Sequence, residues 1–178
     1  QYFHYLTQWM HALDRVTRVT GDPRYNQWAV ELARTAHARF TCRPLTGGPK
    51  RMYWKMSIDL SYPLVSSMGQ HDALDAFVTY NQLMATAKNY PQASADLDLS
   101  SEIEDAIDMC RNINLATDDP LGIGCLLINS CKLIQMIVSN DLPQTEMLTA
   151  ILHYALQGLN LFVRSNSLNY PPKYRLPF

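Results

Sequence analysis

Apolar residues recur at helical spacing in six stretches of this chain, and polar, Gly- and Pro-bearing stretches separate them. The first stretch is Tyr2–Val19. Tyr5, Trp9, Leu13 and Val16 form a stripe, widened by Leu6 and Met10, that is predicted to face the core. Thr20-Gly21-Asp22-Pro23 then ends one helix and starts the next. Gly21 suits a left-handed cap, Asp22 an N-cap and Pro23 a first helical position. The second helix, Pro23–Phe40, carries Tyr25, Trp28, Ala29, Leu32, Ala33, Ala36 and Phe40 on one stripe. A link this short predicts an antiparallel hairpin.

The pattern breaks from Thr41 to about Gln70, with Gly47-Gly48-Pro49 marking a turn and Met52–Leu60 able to form a short ribbon. A third helix is predicted over His71–Asn89, with Leu74, Phe77, Val78 and Met84 inward. Pro91 to Asp98 is a polar link. The fourth helix starts near Ser100, with cap chemistry and acids in Ser100-Ser101-Glu102-Ile103-Glu104, and ends near Asn112. It turns Leu99, Ile103, Ala106, Ile107 and Cys110 inward. A second connector, Ile113–Pro120, leads to a fifth helix, Pro120–Val138, whose one charge is Lys132. That composition predicts an interior helix. Asn140-Asp141-Leu142-Pro143 turns the chain into a sixth helix, Gln144–Arg164, with Met147, Ile151, Ala155, Gly158, Leu159 and Phe162 on its stripe. The tail NYPPKYRLPF reads as extended.

Six helices in three hairpins make an all-α chain, expected to form one domain over residues 1–178. Odd-numbered helices read as more buried than even-numbered ones, the alternation of an α/α toroid or a layered solenoid. The chain starts at Gln1, already inside a helical pattern, so it reads as a segment of a longer protein.

Composition narrows the function. The chain has 178 residues, 47% hydrophobic and 17% charged, with net charge −1 from 15 Lys+Arg and 16 Asp+Glu. It carries no basic footprint for nucleic acid. No apolar run is expected to span a membrane, because Asn129, Ser130, Lys132 and Gln135 interrupt Leu121–Val138. Cys42, Cys110, Cys125 and Cys131 form no CxxC pair, which points to unpaired thiols and a reducing, cytoplasmic compartment. No metal ligand set, glycine-rich phosphate loop or serine elbow is present, and no cofactor is predicted.

The phrases TGDPRYNQWAVELARTAHARF, MYWKMSIDLS…PLV.SMGQHDALD and ATDDPLGIG resemble those of six-hairpin glycosidase-like proteins, the (α/α)6 toroids, in an uncharacterised branch. The resemblance covers most of the chain. It implies a sugar pocket at one mouth of the helical ring. Three hairpins are half of such a ring, so a longer chain, partner copies or an open arc would account for the rest.

Alternating helix directions place Thr41–Gln70, Ile113–Pro120 and the start of the first helix on one face, with the N-termini of the odd-numbered helices. Asp59, Asp72, Asp118 and Asp119 there can supply two carboxylates for acid–base work on a glycosidic bond. Asp72 and Asp119 have a second reading as helix caps. Asp75 lies one turn into its helix and can face the same axis. His71 can act as a general acid or base, and His4 can face it. Tyr53 and Trp54 have the flat faces on which sugars stack, and equally suit a core. Arg51 and Lys55 can bind a carboxylate or phosphate, or simply face water. The resulting expectation is a carbohydrate-active, glycoside hydrolase-like pocket for a sugar or another small polar ligand. A sugar epimerase-like use of His71 and His4 is one alternative. A non-catalytic module binding protein or glycan, or a pseudoenzyme, is the other. Self-association of a partial ring is a further expectation.

Overall fold

The computed structural model describes all residues except 46, 92–96, 141–144, 166–168, 170 and 172–178, and the side chain of Asn140. The predicted turn after 140, much of the 91–98 link and most of the tail therefore lie outside the described residues. The rest is mostly helical: α1 (Phe3–Thr20), α2 (Arg24–Phe40), α3 (Asp72–Ala87), α4 (Ser100–Arg111), α5 (Pro120–Asn140) and α6 (Thr145–Arg164). The chain divides into two compact units, Gln1–Asn114 and Leu115–Phe178.

In the first unit, α3 is the central element, with every residue buried except Met84. α1 and α2 form the expected hairpin. Gly21 takes a left-handed φ of 74° and returns its N–H to Thr17 O at 2.8 Å, closing α1. Asp22 accepts the backbone N–H of Arg24 at 3.0 Å, at the start of α2. α1 also contacts α3 directly. His4 meets Asp75, His11 meets Gln82, and Arg18 meets Thr86. Partner numbers rise together along both helices, so α1 and α3 run parallel, with the antiparallel α2 between them in sequence.

The face of α1 differs from the expectation. Its buried residues are Phe3, Thr7, Met10, Asp14 and Thr17, while Tyr5 and Trp9 are 60% and 65% exposed. Of the predicted stripe, Met10 is buried as expected and Leu6 and Leu13 are half-buried, but Tyr5, Trp9 and Val16 face outward, because a polar network holds the other side. The Asn26 backbone N–H donates to Thr17 Oγ1 at 2.8 Å, and its side-chain amide donates to Leu83 O at 3.1 Å and to Asp14 Oδ1 at 3.4 Å. Arg18 Nε sits 2.9 Å from Asp14 Oδ2, yet its N–H is spent on Thr86 Oγ1. The Arg18–Asp14 contact is therefore coulombic rather than a hydrogen bond. Every member links two of the three helices, so burial of polar groups on α1 is offset by pairing.

The long connector folds into two small antiparallel ribbons. β1 (Thr41–Cys42) pairs with β2 (Arg51–Met52), and β3 (Lys55–Met56) with β4 (Pro63–Val65). The chain start joins the second ribbon: Tyr2 bridges Lys55, and Met56 N–H donates to Gln1 O at 2.9 Å.

In the second unit, α5 and α6 pack antiparallel. Gly158 of α6 lies so close to Thr117 and Ile123 that an added Cβ would fall 2.1 Å from Thr117 O. The interior-helix expectation for α5 is corrected. It buries Ile123, Leu126, Leu133 and Met136 on one side, while Leu121, Ile128 and Val138 are exposed on the other. Among the described residues of this unit, α6 is the helix it packs against, and one neighbouring helix covers one face. By length and composition Pro120–Ser139 is apolar enough to cross a membrane, despite the polar interruptions.

Candidate functional site

The end of the first unit where α1 and α3 begin gathers most of the chemistry. The helical repeat puts Asp72 and Asp75 in the first turn of α3, with His71 at its N-cap position. The parallel packing then brings His4 of α1 to Asp75, Nδ1 to Oδ2 at 2.8 Å, across 71 residues of sequence. The Asp75 side chain is 8% exposed and that of His4 is 49% exposed. A buried carboxylate thus orients a ring that reaches solvent, the arrangement that fixes a histidine tautomer for proton transfer.

Asp72 is 5% exposed, and its Oδ2 has no hydrogen-bond partner. Gly69 is packed against it so tightly that a Cβ there would stand 2.1 Å from Oδ2. Burial pushes the Asp72 carboxyl up to about 7, and the nearby Asp75 charge adds to the rise. Cys110 of α4 backs the same cluster, its thiol pushed up to about 12 by burial and by Asp75. Among the described residues no group of three His, Cys, Asp or Glu side chains could hold a metal ion.

An aromatic rim adjoins His4. Tyr2 stacks edge-on with Tyr5 and with Trp54, each at 5.6 Å between centroids, and Tyr5 lies 6.0 Å from the His4 ring. Lys55 Nζ stands 4.8 Å from the centre of the Tyr2 ring. Trp54 is exposed and Lys55 half-buried. Tyr53 turns elsewhere, to Cys42, and this contact holds its phenol above the ordinary range. Arg51 is exposed in β2, across from Cys42.

The other predicted acids are placed differently. Asp59 is exposed and organises its own loop. Its Oδ1 accepts Ser57 Oγ at 2.6 Å, Ser61 Oγ at 2.8 Å and Ser61 N–H at 3.2 Å, and these bonds hold its carboxyl down at about 2. Leu60 beside it has φ 58°, a left-handed conformation uncommon for a leucine, which that hub supports. Asp118 and Asp119 belong to the second unit. Asp118 is exposed, and Asp119 caps α5, its Oδ2 accepting the Gly122 N–H at 2.8 Å. A cavity of about 700 Å³ in the second unit is lined by one face of α6, including His153 and Tyr154, and shares no residue with the Asp72 cluster.

The sequence names His4, Asp72 and Asp75 and allows His4 to face His71; in the structure His4 Nδ1 meets Asp75 Oδ2, one turn into α3. Tyr2, Tyr5 and Cys110 were not read as site residues. The seven-residue ladder His4, His11, Arg18 on α1 was the signal that could have placed His4 beside α3. Comparison with protein-family models, curated proteins and solved structures gives no match.

Proposed function

We propose that this chain is a carbohydrate-active protein with a glycoside hydrolase-like acid–base centre at the N-terminus of α3. The observation that carries the reading is the buried Asp72 carboxyl, with an unpartnered oxygen, beside the Asp75–His4 pair. A carboxyl that keeps its proton near neutral pH is suited to protonate a leaving oxygen, and a neighbouring carboxylate side chain completes the pair. Asp72 is the acid in this reading and Asp75 the second carboxylate. Tyr2, Tyr5 and Trp54 provide flat faces for sugar rings, and Lys55 a cation for an acidic sugar. The parallel α1 and α3 with an antiparallel α2 support the hairpin stacking of an (α/α)6 toroid.

The exposure of His4 favours a second reading within the same chemistry. Between His4 and Asp72, the ring reaches solvent far more than the carboxyl does. Proton abstraction at a sugar carbon, as in an epimerase, would use His4 as the base.

One set of measurements tests both. A panel of chromogenic aryl glycosides, neutral and acidic, reports hydrolysis, and NMR in D2O reports deuterium entering a free sugar. Asp72→Asn is expected to reduce hydrolysis at least 100-fold, within the range of general acid catalysis. His4→Gln is expected to abolish exchange if the second reading holds. Sugar binding without either reaction would leave a binding module. No binding and no turnover across the panel would end the carbohydrate reading.

A further inference from the structure

Gly69 stands just before α3, and the turn that follows it ends with the Asp72 N–H on Gly69 O at 3.4 Å. Its backbone does not call for glycine. Left-handed φ values belong to Gly21, Gly47 and Gly48, and Gly69 is not among them. The chain on both sides of it is held. Trp54 N–H donates to Ser67 O at 2.8 Å, and Met52 N–H to Met68 Sδ at 3.4 Å. After it, the Gln70 side-chain amide donates to Asn114 O at 3.1 Å.

What glycine supplies here is room. A Cβ at position 69 would meet Asp72 Oδ2 at 2.1 Å, Cγ at 2.6 Å and Oδ1 at 3.0 Å, the three heavy atoms of one carboxyl group. Gly158 is the contrast, since a Cβ there would strike the backbone carbonyl of Thr117. An added methyl at 158 has to move main chain. At 69 it has to turn one side chain to another rotamer. The carboxyl that occupies this space is 5% exposed and has an unpartnered oxygen. The charged groups acting on it are Asp75 from its own helix and His4 from α1.

We infer that Gly69 is a positioning residue: by lacking a side chain it lets the Asp72 carboxyl fold back over the turn, into the place it holds beside Asp75 and His4. The inference rests on the acid–base reading for its effect on activity, and on geometry alone for the placement. Alanine at 69 would leave the backbone and the aromatic rim as they are and displace the acid.

NMR titration of the Asp72 carboxyl in the full chain, assigned by its absence from Asp72→Asn, tests the placement. The wild-type carboxyl is expected to titrate at about 7. In Gly69→Ala its midpoint is expected to fall by about one pH unit or more, because burial is the main cause of the rise and the displaced group leaves that position. Aryl glycoside kinetics test the consequence. Gly69→Ala is expected to lower kcat about tenfold or more and to keep KM within about twofold, since it moves the acid and none of the stacking rings. In an Asp72→Asn background the same change is expected to cost nothing further. Helical circular dichroism checks folding. If Gly69→Ala does not fold, Asp72→Ala is added, which removes all three atoms that the methyl would meet. Folding is then expected to return, and a double variant that still fails to fold overturns the inference. A midpoint in Gly69→Ala equal to that of the wild type overturns it too, as does an equal loss of kcat in both backgrounds. A shifted midpoint in a protein that hydrolyses no glycoside would support the placement and reject the acid reading.

Discussion

Asp72 is held in the folded chain at a cost. Burial, with Asp75 close by, raises its carboxyl to about 7. In the unfolded chain the same group ionises near 4. Between those values the folded state keeps a proton that the unfolded state has released, so stability falls as pH rises from about 4 to about 7 and then levels off. Three pKa units correspond to about 4 kcal/mol as a ceiling. Asp72→Asn removes this term and is expected to stabilise the protein by about 1–4 kcal/mol at pH 8, with little effect at pH 4. Urea unfolding at the two pH values measures it, and equal effects at both would contradict the assignment. Asp59 shows the opposite environment. It is exposed and served by Ser57 and Ser61, so its ionised form is the favoured one. The residue types and their location near the start of a helix were readable in the sequence. Which of these acids would be buried was not, because burial depends on which elements, such as α1 with His4, pack over the start of α3.

At the scale of elements, α1 is the instructive helix. Its apolar stripe was legible, and its periodicity identified a helix correctly. Periodicity does not say which neighbour covers a stripe. Here the covered side is Phe3, Thr7, Met10, Asp14 and Thr17; Asp14 and Thr17 are paired to Asn26 of α2, while Thr7 donates to His4 O within α1. Asn26 is the hinge of that pairing. Asn26→Ala would leave Leu83 O and Asp14 Oδ1 without its amide, so a loss of about 1–3 kcal/mol is expected by urea unfolding. A loss well under that range would mean that the network adds little to the packing around it. On α2 Ala29, Ala33, Ala36 and Phe40 are buried as its stripe predicts, while Tyr25 and Leu32 are half-buried and Trp28 is exposed. Small residues there admit a close neighbour, and the sequence displays that directly.

For the molecule as a whole, burial is unevenly shared. α3 is enclosed along nearly its full length, whereas α6 buries only Ile151, Ala155 and Gly158. Local opening is easiest where few apolar contacts hold an element. Native-state hydrogen exchange is therefore expected to show α3 amides as the slowest in the chain and α6 amides exchanging well before them. Equal protection in the two helices would show the two compact units opening as one.

The sequence by itself determined the helices, their order and the turns between them, because caps such as Gly21 and Asp22, prolines and the 3.6-residue repeat act over a few neighbouring residues. It also marked the connector and the start of α3 as chemically rich. Tertiary structure alone decided that His4 meets Asp75, that Asp72 is desolvated, and that the aromatic side of α1 faces outward. Those outcomes depend on which surfaces pack together, from Thr17 and Asp14 against Asn26 nearby to His4 against Asp75, 71 residues away, and a local pattern carries no record of what will cover it.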